Sequence, residues 1–269
     1  MFNYYYHHYI ISFISAILLI LNNNCHAINF ESSFNISFVD NFSPAVATWY
    51  GPPRGVATGG ACGFENDVAY SPYNGIISAG NNFLFKSGKG CGSCYLVKCT
   101  QHPSCSSRPI IVTITDECPG ACNNDAVHFD LSGKAFGLLA KPRQDDILRN
   151  AGRINIQYQR IDCNHRGGLT FKIDKGSNPY YLALAIENVN GDGDIGEVKI
   201  LASNSKGYWL TMAQSWGATW RVDLPGGTTG PYSVKVTTIE SKTSSLAYKA
   251  IPANWAPGQH YYSRVVYLP

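Results

Sequence analysis

Nine cysteines are spread unevenly over 269 residues: Cys25 stands just beyond a strongly apolar stretch, and the other eight all lie between Cys62 and Cys163. The apolar stretch, residues 10–21 (IISFISAILLIL), is too short to span a bilayer and fits the core of a signal peptide. Cys25-His26-Ala27 offers small residues at −3 and −1, so residues 1–27 read as a signal peptide, although its first nine residues carry no Lys or Arg. Cys25 then leaves with the leader. An even set of eight cysteines in a secreted chain reads as a disulfide framework. Two sequons follow, so Asn35 and Asn41 are expected to be N-glycosylated on an N-terminal extension over 28–43.

Charged side chains make up only 14% of the chain, well below the ~25% of ordinary soluble domains. Glycine (26) and tyrosine (17) are plentiful. This is the composition of an all-β extracellular protein, and it excludes coiled coil and intrinsic disorder. The 21 basic residues exceed the 18 acidic ones by three, with no basic run, so nucleic acid is not an expected partner.

The chain divides near residue 165. Every mature cysteine precedes it, residues 28–165 carry 11 basic and 11 acidic side chains, and residues 166–269 carry 10 and 7. A first domain over 44–165, a Gly-rich linker at 166–168 and a second domain over 169–269 are expected. So short a linker leaves one fixed surface across both. In the first domain, 109–115 (PIIVTIT) is a β-branched strand run, Ile154, Ile156 and Tyr158 alternate with polar residues, and 132–140 and 144–150 read as short helices. In the second, Leu169/Phe171/Ile173, Val198/Ile200/Ala202, Val234/Val236 and Leu246/Tyr248/Ala250 alternate between Gly, Pro and Asn clusters, the pattern of a β-sandwich. Its net charge of +3 adds weak, salt-screened attraction to acidic polymers.

Several motifs carry less than they suggest. Cys91-Gly92-Ser93-Cys94-Tyr95 matches the surroundings of a papain-type nucleophile, but no His lies between His165 and His260 to serve as its base. Cys91/Cys94 and Cys118/Cys122 have zinc-like spacing, yet disulfides are the better reading in an oxidising compartment. The stretch 190–197 (NGDGDIGE) resembles a calcium loop but has Ile195 where Gly belongs and Leu201 where the bidentate Glu belongs, so it reads as an acidic turn. No metal or cofactor is expected.

The acidic candidates are Asp116, at a strand end, and Asp130, which period-2 alternation places on one face with His128. Glycoside hydrolysis needs two such carboxylates flanking a bond. Trp49-Tyr50, Tyr180-Tyr181 and Trp216 lie beside Gly, Pro or Ser, whereas Trp209 and Trp220 sit in strand-like alternation and read as core. A ring stacked on a sugar covers about 60 Å², worth roughly 1.5 kcal/mol, so several rings in a row are needed for useful grip.

The motifs Thr48-Trp49-Tyr50-Gly51, Gly59-Gly60-Ala61-Cys62-Gly63, Gly90-Cys91-Gly92-Ser93-Cys94-Tyr95, Thr115-Asp116-Glu117-Cys118, His128-Phe129-Asp130-Leu131-Ser132-Gly133 and Ser215-Trp216-Gly217 occur in the order seen in plant β-expansins, which include the group-1 grass-pollen allergens. The resemblance covers about 44–269. It implies a six-stranded double-psi β-barrel akin to family 45 endoglucanases, followed by an immunoglobulin-like, carbohydrate-binding β-sandwich. It implies pairs Cys62–Cys91, Cys94–Cys163 and Cys99–Cys105, leaving Cys118–Cys122. It implies a secreted, monomeric wall protein that binds cellulose and xylan-type matrix glycans and loosens their contacts without hydrolysis. Thr48, Trp49, Tyr50, Asp116, His128, Asp130 and Arg160 are expected along the barrel's groove, and Tyr181 and Trp216 on the sandwich. Asp130 matches the endoglucanases' general acid, but their base falls near Trp49-Tyr50-Gly51, where this chain has no carboxylate. Thr58 stands where some β-expansins have a further Asp. The alternative is a weak glycoside hydrolase or transglycosylase.

Overall fold

The computed structural model describes residues 41–263 and the backbone of 266–268. The expected signal peptide, residues 1–27, and Asn35 lie outside the described residues, as does all of the expected extension before Asn41. Asn41 itself is exposed.

Six strands close into a barrel. They are β1 (Ser43–Tyr50), β2 (Ile77–Gly80), β3 (Cys94–Lys98), β4 (Ile110–Glu117), β5 (His128–Ser132) and β6 (Ile154–Ile161), in the order β1-β5-β2-β4-β3-β6. The pairs β1–β5 and β2–β4 are parallel and the rest antiparallel. Closure removes exposed edges. Alternation fills the interior: Ala47, Val97, Val112, Ile114, Phe129, Leu131, Ile154 and Ile156 form one buried cluster. The two helical stretches appear as Gly133–Leu138 and Asp145–Ala151. The first is capped by Ser132, whose Oγ accepts from the Ala135 amide. The second carries Asp145 and Asp146 in its first turn, where they meet Arg149. Disulfides join Cys62–Cys91, Cys94–Cys163, Cys99–Cys105 and Cys118–Cys122, so both cysteines of the papain-like motif are bonded.

Nine further strands build the second part: β7 (Thr170–Ile173), β8 (Tyr181–Glu187), β9 (Glu197–Ala202), β10 (Leu210–Trp216), β11 (Thr219–Asp223), β12 (Tyr232–Thr237), β13 (Ser244–Ile251), β14 (His260–Tyr262) and β15 (Val266–Leu268). The order is β14-β7-β8-β11-β10-β9-β12-β13-β15. Strand β10 belongs to both halves: its residues 210–212 pair with β9, and 213–216 pair with β11. Leu182, Leu184 and Ile186 of β8 meet Val198 and Ile200 of β9 and Val234 and Val236 of β12 in a single core.

Two expectations about this core are corrected. Trp220 is buried, but Trp209 is 37% exposed because it precedes β10 instead of lying within it. In β13 the inward residues are Ala247 and Ile251, while Tyr248 points out. The β12–β13 register shifts there, and Lys249 takes up the irregularity at φ +47°.

The barrel and sandwich meet through specific contacts. Gly92 and Gly193 approach backbone to backbone, Cys163 exchanges two hydrogen bonds with Gly191, and the Ala218 amide donates to Cys62 at 3.0 Å. The 190–197 turn lies in this junction. Asp192 Oδ2 accepts from the amides of Glu240 and Ser241 at 2.9 and 2.7 Å, and Asp194 faces the barrel.

Candidate functional site

Strands β1 and β5 run parallel with Thr48 opposite Asp130 and Tyr50 opposite Ser132. Thr48 Oγ1 donates to Asp130 Oδ1 at 2.5 Å and lies 2.8 Å from His128 Nε2. His128 Nδ1 meets Asp125 Oδ2 at 2.7 Å, and Arg153 clamps both Asp125 oxygens. Arg153, and then His128, hold the Asp125 carboxyl down at about 2. The chain Arg153–Asp125–His128–Thr48 thus ends on Asp130 and fixes where its carboxyl sits. Burial pushes the Asp130 pKa up; Thr48 and His128 oppose that, and the negative charge of Asp116 adds to it.

Asp116 lies across β2 from Asp130. Both pair with Ala79, one from each side, so their α-carbons are roughly 10 Å apart. Asp116 Oδ1 accepts from the amides of Ala61 and Glu117 at 2.6 and 2.8 Å. Tyr50 sits within the field of both acids. Burial, then Asp116 and Asp130, raise its pKa, so it stays a neutral phenol.

Three residues expected along the groove do other work. Trp49 is on the opposite face of β1 from Thr48 and Tyr50. It pairs with buried Leu131, leans on the barrel core and donates its indole N–H to the Arg149 carbonyl at 3.0 Å. His128 is 2% exposed and positions Thr48, leaving no free edge for a ligand. Arg160 is a clasp between the two parts. Its Nη2 donates to the Asp192 carbonyl at 2.6 Å and to Asp194 Oδ2 at 2.9 Å, and its Nη1 to the Tyr95 hydroxyl at 3.2 Å.

Trp216 and Tyr181 share the outward face of the sandwich. With Leu182, Leu184 and Ile186 in the core, Tyr181, Ala183 and Ala185 point out, opposite Asp223, Arg221 and Thr219, and Thr219 pairs with Trp216. Four residues separate the two levels, about 13 Å. Exposed Arg221 stands between the rings, a residue that the alternation of β11 (TWRVD) would have revealed. Trp216 is half exposed, and its ring rests against Gly63 of the barrel. The loop 59–63 therefore touches both halves of the site: Gly60 and Ala61 lie on Asp116, and Gly63 lies under Trp216.

Known proteins place this arrangement. Residues 169–252 match the model described as the expansin C-terminal domain, and residues 77–158 match one described as lytic transglycolase. Expansin-B4 of Arabidopsis thaliana is 48% identical over 224 residues, covering 82% of this chain and 86% of that protein. The chain belongs to the expansin family. Expansin-B3 of Oryza sativa subsp. japonica is 46% identical over 89% of this chain and 88% of its own length. Pollen allergen Phl p 1 of Phleum pratense is 43% identical, over 85% and 87% respectively. Among solved structures, apo Clavibacter michiganensis expansin superposes with a TM-score of 0.62 at 22% identity, covering 82% of this expansin and 96% of its own chain. A mutant of that protein, described in complex with cellohexaose, has the same TM-score.

A junction cluster escaped the sequence reading because its members are far apart in the chain. Lys172 Nζ bridges Glu65 (2.8 Å) and Asp67 (3.0 Å), and His260 lies 3.8 Å from Asp67. Beside them Glu187 is buried, with its pKa raised to about 8 by desolvation and by Asp67.

Proposed function

We propose that this expansin is a secreted, wall-located protein that grips cellulose or xylan-type chains along one surface running from Asp130 and Tyr50, past Asp116, to Trp216 and Tyr181, and that it loosens glycan contacts without cutting them. The observation carrying this reading is the 59–63 loop, which lies on the acid and under the ring at once. Asp130 and Tyr50 hydrogen-bond sugar hydroxyls, and each sandwich ring adds roughly 1.5 kcal/mol of stacking. A binder shifts an equilibrium only by its differential affinity for two states. A surface that holds a separated or twisted chain more tightly than a packed one therefore pulls chains apart. Asn41, exposed ahead of β1, is open to carry a glycan.

One observation favours a second reading, weak glycoside hydrolysis or transglycosylation. Asp116 and Asp130 flank Ala79, and inverting cleavage needs an acid and a base about 6.5–9.5 Å apart. Against it, Asp116 Oδ1 is committed to two backbone amides and Gly60 covers the side chain, a poor arrangement for deprotonating a water.

Wall creep under load, measured with released reducing ends on the same samples, tests both. Trp216→Ala is expected to weaken cellohexaose and wall binding about tenfold and to reduce creep, with no reducing ends released by the parent protein. Reducing ends that disappear with Asp130→Asn overturn the non-hydrolytic reading, and creep unchanged by Trp216→Ala overturns the shared surface.

A further inference from the structure

A second concavity lies on the barrel. It is a cleft of about 720 Å³ between the turn after β1, the segment before β4 and the helices Gly133–Leu138 and Asp145–Ala151. It shares no residue with the surface described above. We propose that this cleft is a binding site for a carboxylated polysaccharide, a chain bearing uronate groups.

Charge is the first argument. Six cations line the cleft: Arg54, Arg108, Lys134, Lys141, Arg143 and Arg149. Asp145 and Asp146 offset two of them, since Arg149 Nη1 contacts both at 2.8 and 2.6 Å and Arg54 reaches Asp146 at 2.9 Å. Four positive charges remain, six less two. Lys134 and Lys141 donate to the carbonyls of Asn74 and Pro103, which carry no charge to cancel theirs. Arg108 and Arg143 are exposed, and among the described residues no carboxylate pairs with either guanidinium. Two free guanidinium forks suit carboxylates, which they bind bidentately.

Shape and lining narrow the class. Four cations spread around an open cleft exceed what one small anion can satisfy, whereas a chain with repeated carboxylates engages several at once. The walls between the cations are apolar: Pro53, Leu138, Ala140 and Pro142, with Leu138 46% exposed. They suit the C–H faces of sugar rings. No aromatic ring lines the cleft, so nothing there stacks a nucleobase. The inference is independent of the groove reading.

The test is binding of the full chain to polygalacturonate at 50 and 200 mM NaCl, with fully methyl-esterified polymer and cellohexaose as neutral probes. The doubly substituted R108Q/R143Q protein is expected to bind polygalacturonate about tenfold more weakly at 50 mM NaCl. It is also expected to show a shallower salt dependence and to keep its cellohexaose affinity. The esterified polymer is expected to be indifferent to the substitutions. R108Q/R143Q binding polygalacturonate like the parent overturns the proposal. So does a loss found instead in K206Q/K242Q on the sandwich, or an equal loss of cellohexaose binding by R108Q/R143Q. Inorganic phosphate at millimolar concentration competing as well as the polymer assigns the cleft to small anions, and that too overturns it.

Discussion

Glu187→Gln removes a proton whose position at the junction is set by its neighbours. Glu187 is buried, and its Oε1 has no hydrogen-bond donor, so as a carboxylate it would be a stranded acceptor. As a neutral acid it donates to Asp67, whose other neighbour is the Lys172 ammonium at 3.0 Å. Glu65, His260 and Tyr73 complete the charged and titratable surroundings. The pKa rises from 4.5 to about 8. The folded protein therefore keeps a proton that the unfolded chain loses above about pH 4.5. Stability from this group is complete below that pH and is lost as pH climbs through about 8. A rise from 4.5 to about 8, at ~1.4 kcal/mol per tenfold in proton affinity, sets a ceiling of about 5 kcal/mol. Because Asp67 and Lys172 share the proton's field, we expect a fall of about 2–4 kcal/mol between pH 4.5 and 8. Gln donates to Asp67 without titrating, so the variant should flatten that slope and be the more stable protein at pH 8. Urea unfolding followed by tryptophan fluorescence at half-unit pH steps measures it. Parallel stability curves for parent and variant would refute the shared proton.

Two further outcomes follow from the site and the clasp. Arg160→Met strips the partner from Asp194, whose side chain is fully buried, and should cost about 3–5 kcal/mol, read by urea or thermal unfolding. Loss below 1 kcal/mol would mean that Asp194 finds another donor. Thr48→Val removes the hydroxyl that Asp130 and His128 share. It should destabilise the barrel by about 1–3 kcal/mol and move the Asp130 carboxyl titration upward by NMR, since the lost hydrogen bond is one that lowers its pKa. An unmoved titration would show that the hydrogen bond does not set the acid's state.

Much of the fold was legible because alternation is a local signal. The 109–115 run, the Ile154/Ile156 pair and the Leu169/Phe171/Ile173 set all became strands. The same rule, applied to β1, would have set Trp49 apart from Thr48 and Tyr50; adjacency in a motif is the opposite of adjacency on a strand face. What the pattern could not show was partnership across distance. Arg160 has the charge of a sugar-binding residue, and only the folded chain reveals that it is spent on a carboxylate 34 positions away. Glu187 closes the YLALAIE strand as an ordinary acid would, and two of its neighbours, Asp67 and Tyr73, lie more than 110 positions earlier in the chain. In β13 the Leu246/Tyr248 alternation has the wrong phase: Ala247 before the bulge and Ile251 after it, four residues apart, both face the core.

The glycines of the 59–63 loop explain how the barrel and the sandwich hold one spacing. Gly60, at φ +93°, lies so close to the Thr115 carbonyl and the Asp116 side chain that a Cβ could not fit, and Gly63, at φ +85°, lies equally close under the Trp216 ring. A side chain at either place would push acid and ring apart. Cys62 between them is bonded to Cys91, and its carbonyl receives the Ala218 amide from the sandwich. The distance from acid to ring is therefore fixed by backbone contact and a disulfide, which bend less readily than side-chain contacts. Rigidity matters to the proposed mechanism. A jointed pair of domains would settle onto packed and separated glycan chains alike, and equal affinity for two states shifts nothing. A surface that cannot adjust must favour whichever chain geometry matches its spacing, and in the non-hydrolytic reading proposed above that preference is what shifts glycan chains from packed to separated.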